Sequence, residues 1–293
     1  MFEGAHTALV TPFNEKGMID PDAFRAIIDR QFDAGIKGVV PVGTTGESST
    51  LSTEEHQLVI EMTVKQTRKR GLVIAGTGSN STREAIDLTQ AAEKAGADAA
   101  LLVTPYYNKP SQEGLYQHYK AIALSTDLPL MLYSIPGRCH IQIDVDTCVR
   151  LASDCPNIRA IKEAGGVTER VRQLRAALPE TFEILSGDDA LTVDFMKEGA
   201  VGVVSVAGNL IPKAMADLTK AMLEGRTGEA EAIHATYAPL FNAFLKLDTN
   251  PVPIKAALGL AGVCLPKLRL PMVEMSNEKV AELRSILSAL GLI

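Results

Sequence analysis

The chain has few of the patterns that mark disulfide frameworks, metal centres or membrane spans. Its four cysteines form no CxxC pair and its five histidines no HExxH motif, so we predict reduced thiols and no metal held by the protein. No apolar run approaches the length of a membrane-spanning helix, and no N-terminal signal segment is visible. These absences predict a soluble, cytoplasmic protein without a membrane partner.

The charge of the chain is modest and spread along its length. It has 35 acidic and 29 basic residues, a formal net charge of -6, and no basic stripe or charged tail. Such a surface does not attract a polyanion, so nucleic acid is not expected as a partner. With 293 residues, of which 46% are hydrophobic, the chain can bury one large α/β core or two ordinary ones.

Eight short apolar runs alternate with segments in which apolar residues recur three or four positions apart. The first pattern predicts buried strands and the second predicts amphipathic helices. Ser52 and Ser81 begin sequences typical of helix-capping boxes, and Gly96 and Gly225 stand where helices should end. The predicted strands are residues 8–10, 38–42, 72–75, 99–103, 128–133, 158–161, 182–185 and 201–206.

This alternation predicts a (β/α)8 TIM barrel, with residues 1–225 forming the barrel domain. A doubly wound sheet is the alternative, but it would have fewer strands and a GxGxxG turn after the first strand, which the chain lacks. Residues 226–293 contain only helical patterns and predict a C-terminal helical region, packed on the barrel or on a neighbouring subunit. In such barrels the active residues lie at the carboxyl ends of the strands.

Lys162 lies at the end of the sixth predicted strand. A buried ammonium group is costly, so this side chain either reaches solvent beside Glu163 or is held with a lowered pKa. A lysine of the second kind is a nucleophile toward carbonyl compounds. Because strand ends carry the chemistry of a barrel, we favour the nucleophile.

Other strand ends carry polar groups with less specific signals. Thr44 and Thr45, in a glycine-rich loop, could bind a carboxylate or pass a proton, or the loop could be a simple turn. Tyr133 could act as acid and base and Arg138 could bind a carboxylate, or they could be a rim aromatic and a surface ion pair. Paired tyrosines after the fourth strand could be interface residues. The aspartates of Gly187-Asp188-Asp189 are interpreted as helix caps.

Together these residues resemble the dihydrodipicolinate synthase family of pyruvate-dependent class I aldolases. The resemblance rests on Gly43-Thr44-Thr45-Gly46-Glu47, Tyr106-Tyr107-Asn108, Tyr133 with Pro136 and Arg138, and Ile161-Lys162-Glu163-Ala164. It extends over almost the whole chain. It implies that Lys162 forms a Schiff base with pyruvate, and that the enamine attacks L-aspartate 4-semialdehyde to give 4-hydroxy-tetrahydrodipicolinate, toward diaminopimelate and lysine. No metal or organic cofactor is needed.

The resemblance also implies a role for each companion of Lys162. Tyr133 would shuttle protons through Thr44 to Tyr107, which would come from a partner subunit of a homotetramer, a dimer of dimers. Arg138 would orient the carboxylate of the semialdehyde. The remaining substrate-binding residues implied are Thr45, Gly43 and Val203.

Many members of this family bind L-lysine as a feedback inhibitor between subunits. Thr53 stands where inhibited members often carry a histidine, and the matching residues could instead merely line an interface. The matching positions here are Ser48, Ser49, His56, Asn80, Glu84 and Tyr106.

Two positions depart from the family pattern, and two alternative functions stay open. Ser134 replaces an asparagine and Cys139 a threonine in the loop expected beside the aldehyde. These changes bear on the identity of the aldehyde substrate more than on the binding of pyruvate. A keto-deoxy sugar acid aldolase or an N-acetylneuraminate lyase would keep the Schiff base with another aldehyde, although Arg138 and Thr44 argue against the lyase. A barrel that only binds a metabolite and regulates a partner is the third reading.

Overall fold

The computed structural model describes residues 1–293 and shows eight parallel strands closed into a barrel. Each strand pairs with the next one in the chain, and β8 pairs with β1 to close the ring. The predicted (β/α)8 fold is confirmed. The strands are β1 Gly4–Ala8, β2 Gly38–Val40, β3 Leu72–Gly76, β4 Ala99–Val103, β5 Leu130–Ser134, β6 Ile158–Glu163, β7 Glu183–Ser186 and β8 Gly202–Ser205.

Twelve α-helices surround and extend the barrel. Ser52 and Glu55 form the predicted capping box at the start of α2, and Gly96 adopts the left-handed conformation after α3. The helices are α1 Pro21–Asp33, α2 Thr53–Thr67, α3 Thr82–Ala95, α4 Gln112–Ala123, α5 Pro136–Cys139, α6 Val145–Asp154, α7 Thr168–Ala177, α8 Thr192–Lys197, α9 Pro212–Leu223, α10 Thr227–Lys246, α11 Val252–Leu260 and α12 Asn277–Ala289. None of them combines the length and the apolar character that a membrane crossing requires.

The first strand lies earlier in the chain than its apolar run predicts. The prediction placed it at residues 8–10, whereas β1 spans Gly4–Ala8 and contains two buried polar residues, His6 and Thr7. The Thr7 hydroxyl donates to the Gln31 side-chain oxygen at 2.7 Å, and a His6 ring nitrogen lies 2.8 Å from the Phe2 carbonyl oxygen. The fold therefore gives both polar side chains a hydrogen-bond partner, although His6 Nδ1 stays unpaired, and these two residues make the strand look like a loop in the sequence.

The predicted C-terminal helices pack against the barrel. Phe241 of α10 and Leu283 of α12 are buried in the same hydrophobic cluster as Phe24 of α1 and Val39 of β2. A separate cluster, which includes Met131 and Val204, fills the barrel interior. The C-terminal helices thus share a core with the barrel, while the division of the chain into domains at residue 225 stays a prediction.

Buried histidines should make the fold sensitive to mild acid. Burial lowers the pKa of His6 from 6.5 to about 4. Between these two pH values the imidazole is protonated in the unfolded chain but neutral in the folded chain. The contribution of His6 to the free energy of unfolding is therefore fully present above pH 6.5. It decreases by about 3 kcal/mol as the pH falls from 6.5 to 4. We expect urea unfolding of His6→Gln to show a smaller loss of stability between pH 7 and pH 4.5 than the wild type. Equal losses in the two proteins would contradict this expectation.

Candidate active site

A cavity of about 180 Å³ opens at the carboxyl ends of the strands. This is the end of a (β/α)8 barrel where loops after the strands bring functional side chains together. Six of the predicted site residues line it: Gly43, Thr44, Thr45, Tyr133, Arg138 and Lys162.

Lys162 is an amine at the wall of this cavity that is almost entirely shielded from water. It lies on β6 directly beside Tyr133 of β5, is 5% exposed, and places Nζ 4.2 Å from the Tyr133 ring centroid. Burial lowers the pKa of Lys162 to about 8, with Arg138 acting in the same direction and Asp189 opposing it. At pH 7 about one molecule in ten therefore has a free amine here, far more than for an exposed lysine.

Tyr133 is a neutral phenol beside that amine. Burial raises its pKa to about 12, although the Arg138 charge and a hydrogen bond with Thr44 act in the opposite direction. A phenol held neutral can donate its proton to a developing charge and recover it afterward. The pair therefore offers a nucleophile and a proton donor in one buried site.

The turn that carries Thr44 and Thr45 is held in place from outside. Gly46 donates its amide to the Gly43 carbonyl oxygen at 3.1 Å, which closes the turn. The Thr45 hydroxyl oxygen accepts a hydrogen bond from Asn250 Nδ2 at 3.0 Å. Because that oxygen already accepts one bond, the hydroxyl proton is left to donate, as binding of a carboxylate requires.

Arg138 lies at the mouth of the cavity, on the short helix α5. Its Nη2 donates to the Asn250 carbonyl oxygen at 2.9 Å and to the Thr249 hydroxyl at 3.3 Å. These bonds fix one side of the guanidinium and leave its other donors available. A guanidinium fixed in this way can bind a carboxylate that enters the cavity.

A second cavity, of about 620 Å³, lies beside the first. Thr44 and Arg138 line both cavities, so the two share a wall. Asn80 is not part of the lining, but its side chain donates to the Tyr106 carbonyl oxygen at 3.1 Å. The predicted residues that line the second cavity are Ser48, Ser49, His56, Glu84 and Tyr106.

Comparison with known proteins identifies the family. The dihydrodipicolinate synthetase family matches residues 1–290 of the chain. The chain belongs to this family. A 4-hydroxy-tetrahydrodipicolinate synthase from Thermodesulfovibrio yellowstonii is 49% identical over 293 residues and is aligned over 100% of each chain. The predicted lyase activity, formation of 4-hydroxy-tetrahydrodipicolinate, is confirmed at the level of the family.

Two solved structures of the family resemble the whole chain. The chloride-inhibited dihydrodipicolinate synthase from Acinetobacter baumannii, complexed with pyruvate, is 44% identical with a TM-score of 0.97 and covers 100% of both chains. A dihydrodipicolinate synthase from Cyanidioschyzon merolae with lysine bound is 40% identical, with a TM-score of 0.96 over 100% of this chain and 99% of that one.

Two predicted site residues lie outside the cavity of this family member. Tyr107 is 90% exposed and has a left-handed backbone with φ of 74°, so its ring points away from its own barrel core. Val203 of β8 packs in the cluster between the sheet and the outer helices, because alternate residues of a strand face opposite sides. Val206, three residues later, lines the cavity instead.

Asp189 and Asn250 also line the cavity, although the sequence predicted only a capping role for Asp189 and did not single out Asn250. Asp188 caps the following turn as predicted, by accepting from the Ala190 amide at 2.9 Å. Asp189 does not cap that turn; it accepts from the Val206 and Ala207 amides, at 3.0 and 2.8 Å, and its other carboxyl oxygen has no partner. The GDD motif was a signal for Asp189, whereas nothing in the sequence singled out Asn250.

The two departures from the family pattern lie outside the first cavity. Ser134 is fully buried in β5, and Cys139 lines the second cavity with its thiol donating to the Thr104 carbonyl oxygen at 3.1 Å. Burial raises the pKa of this thiol to about 11, which keeps it protonated. Neither side chain therefore alters the lining of the cavity that contains Lys162.

Gly187 provides the space in which the Lys162 side chain lies. A Cβ atom on Gly187 would lie 2.7 Å from Ala164 Cβ and 3.0 Å from Lys162 Cε. We expect Gly187→Ala to displace the amine and lower kcat by about 10- to 100-fold, since small misplacements of reacting groups are costly. Steady-state kinetics would measure this effect. The matched control is Gly137→Ala at the same mouth, where a Cβ meets nothing within 4 Å, and an equal loss in that control would refute the explanation.

Proposed function

We propose that this protein condenses pyruvate with L-aspartate 4-semialdehyde through a Schiff base on Lys162. The observation that carries the proposal is a buried lysine, with its pKa lowered to about 8, at the mouth of the barrel beside a neutral tyrosine. Membership of the family supports it, and so does the related A. baumannii structure in complex with pyruvate.

The proposed reaction begins with attack of the Lys162 amine on the ketone carbon of pyruvate. The carbinolamine loses water to give an iminium ion, which accepts the electron pair of a methyl C–H bond as that proton leaves. The resulting enamine carbon forms a bond with the aldehyde carbon of the semialdehyde, whose oxygen takes up a proton. Tyr133 supplies and recovers these protons, with Thr44 as its hydrogen-bonded neighbour.

Two binding subsites follow from the donors around the cavity. The Thr45 hydroxyl, together with amides of the loop that begins at Gly43, binds the pyruvate carboxylate. Arg138, at the mouth, binds the carboxylate of the semialdehyde. Pyruvate therefore binds deep in the cavity and the aldehyde binds nearer solvent.

Tyr107 completes the proton relay of a second copy of the chain in this proposal. Its exposed ring extends from a loop that Asn108 ties back to Asn80, by a hydrogen bond of 2.8 Å from Asn108 Nδ2 to the Asn80 carbonyl oxygen. A fixed loop that presents an exposed aromatic ring is suited to contact with a partner subunit. We propose a homotetramer built from two such dimers, which light scattering would test.

Reduction with borohydride in the presence of pyruvate tests the central proposal. Borohydride converts an imine to a stable secondary amine, so one pyruvate-derived adduct should appear on the intact protein and map to Lys162 by peptide mass spectrometry. A folded protein that binds pyruvate without forming this adduct would exclude every aldolase function and leave a binding protein. A coupled assay with aspartate semialdehyde then identifies the aldehyde.

The second cavity is proposed to bind L-lysine as a feedback inhibitor. The Glu84 carboxylate and the hydroxyls of Ser48 and Ser49 offer partners for the ammonium and carboxylate groups of an amino acid, and His56 lies in the same wall. The lysine-bound structure from C. merolae supports this ligand. In this proposal Thr44, which lines both cavities, couples lysine binding to the active site.

We expect lysine to inhibit the wild-type enzyme and to inhibit Glu84→Gln at least about tenfold more weakly, because a charged hydrogen bond is lost. Inhibition curves for the two proteins would measure the difference. Asp87→Asn, one turn further along α3 and outside the cavity, is the control. Equal inhibition of all three proteins would place the lysine site elsewhere.

A further inference from the structure

Lys255 is a second buried lysine, and the proposed mechanism does not use it. It lies on α11, is 0% exposed, and forms an ion pair with Glu47, which is 3% exposed. Its ammonium also donates to the Lys267 carbonyl oxygen at 2.7 Å and lies 4.2 Å from the ring centroid of Phe13. A buried ion pair is often no more stabilising than an apolar pair of similar volume, so fold stability alone does not account for it.

Glu47 follows directly after the turn that carries Thr44 and Thr45. The residues on both sides of this turn have left-handed backbones, with φ of 50° at Val42 and 56° at Glu47. This conformation is unfavourable for any residue with a Cβ, and especially for the β-branched Val42. Such a turn persists only if contacts from outside hold it in place.

Those outside contacts come mainly from the C-terminal helical region. One Glu47 carboxyl oxygen pairs with Lys255, and the other accepts the Arg269 amide at 3.0 Å. Asn250, two residues before α11, donates to the Thr45 hydroxyl. The same region therefore holds the turn at Thr45 and at Glu47.

We propose that Glu47 and Lys255 are a positioning pair, which orients Thr44 and Thr45 for pyruvate binding. The inference rests on the proposed function, because pyruvate is the ligand that the turn would bind. Lys255 does not line the cavity, so it acts only through Glu47 and the turn. Removal of the pair should consequently affect pyruvate more than the aldehyde.

The test compares Lys255→Met and the double variant Glu47→Gln/Lys255→Met with the wild type. Wild-type protein is first trapped with pyruvate and borohydride, so that absence of an adduct there counts against the proposed function and not against this inference. KM for each substrate, kcat, trapping rate and urea unfolding are then measured for every variant. The control is Lys197→Met, which removes the exposed ion pair between Lys197 of α8 and Glu231 of α10.

The double variant decides the outcome, because it leaves no buried charge unpaired and should fold even if Lys255→Met does not. We expect KM for pyruvate to rise about tenfold and trapping to slow in the double variant, with KM for the semialdehyde changed less than about twofold. Lys197→Met should match the wild type. If the double variant retains the wild-type KM for pyruvate and the wild-type trapping rate, the pair is only structural and the proposal is overturned.

Discussion

Replacement of Lys162 by alanine is expected to abolish the pyruvate adduct and to lower kcat by about 10³-fold or more. No other amine lines the cavity, so no neighbouring group can form the imine in its place. The variant should remain folded, because the ammonium group that it removes is costly to bury and contacts the Tyr133 ring. Kinetics, borohydride trapping and urea unfolding on one preparation would establish all three points.

The pH dependence of trapping gives Lys162 a second signature. The reactive form is the free amine, and burial lowers the pKa to about 8. The trapping rate should therefore rise about tenfold per pH unit below pH 8 and level off above it. Lys213→Met, which removes an exposed lysine paired with Asp217 on the outer helix α9, is the matched control and should keep both rate and profile. A rate that still rises steeply at pH 10 would mean that the amine is not desolvated.

Replacement of Arg138 by alanine is expected to lower kcat/KM for aspartate semialdehyde by about 10²-fold, through loss of the charged hydrogen bonds to its carboxylate. The pyruvate imine should still form, since Lys162 remains buried. Because the Arg138 charge contributes to the lowered pKa of Lys162, the midpoint of the trapping profile should move to higher pH. Steady-state kinetics with each substrate varied in turn would separate these effects.

The Arg138 result also distinguishes the aldehydes. Arg172→Ala, which removes an arginine paired with Glu198 on the outer surface, is the matched control and should leave kcat/KM unchanged. If Arg138→Ala keeps full activity with aspartate semialdehyde, the substrate assignment fails and an aldolase for another aldehyde becomes the better description.

Much of the fold could be predicted from the sequence because strands and helices here follow simple periodicities. Seven strands lie within their predicted apolar runs or overlap them closely, since strands buried on both faces are continuous hydrophobic segments. The first strand was misplaced because His6 and Thr7 are polar, and because Gln31, the partner of Thr7, reaches it only in the folded barrel. The spacing of apolar residues along the sequence does not predict such hydrogen-bond partners.

The candidate site was predictable where a residue lies at a strand end, and not elsewhere. Lys162 and Tyr133 end β6 and β5, so the barrel fold alone places them at one rim. Asn250 lies between α10 and α11, in a segment without periodicity, and its approach to Thr45 depends on long-range packing. The family pattern located Thr45 and Arg138, but it gave no indication of what holds them.

The position of Asn250 has a consequence for the order in which the chain is synthesised. The last barrel strand ends at Ser205, and a growing chain that has reached this residue already contains Lys162 and Tyr133. It does not yet contain Asn250, which holds Thr45 and Arg138, nor Arg269, whose amide holds Glu47. On the ribosome, the nucleophile Lys162 therefore emerges 88 residues before Asn250 and 107 residues before Arg269, and a nascent barrel lacks an assembled site until both have emerged.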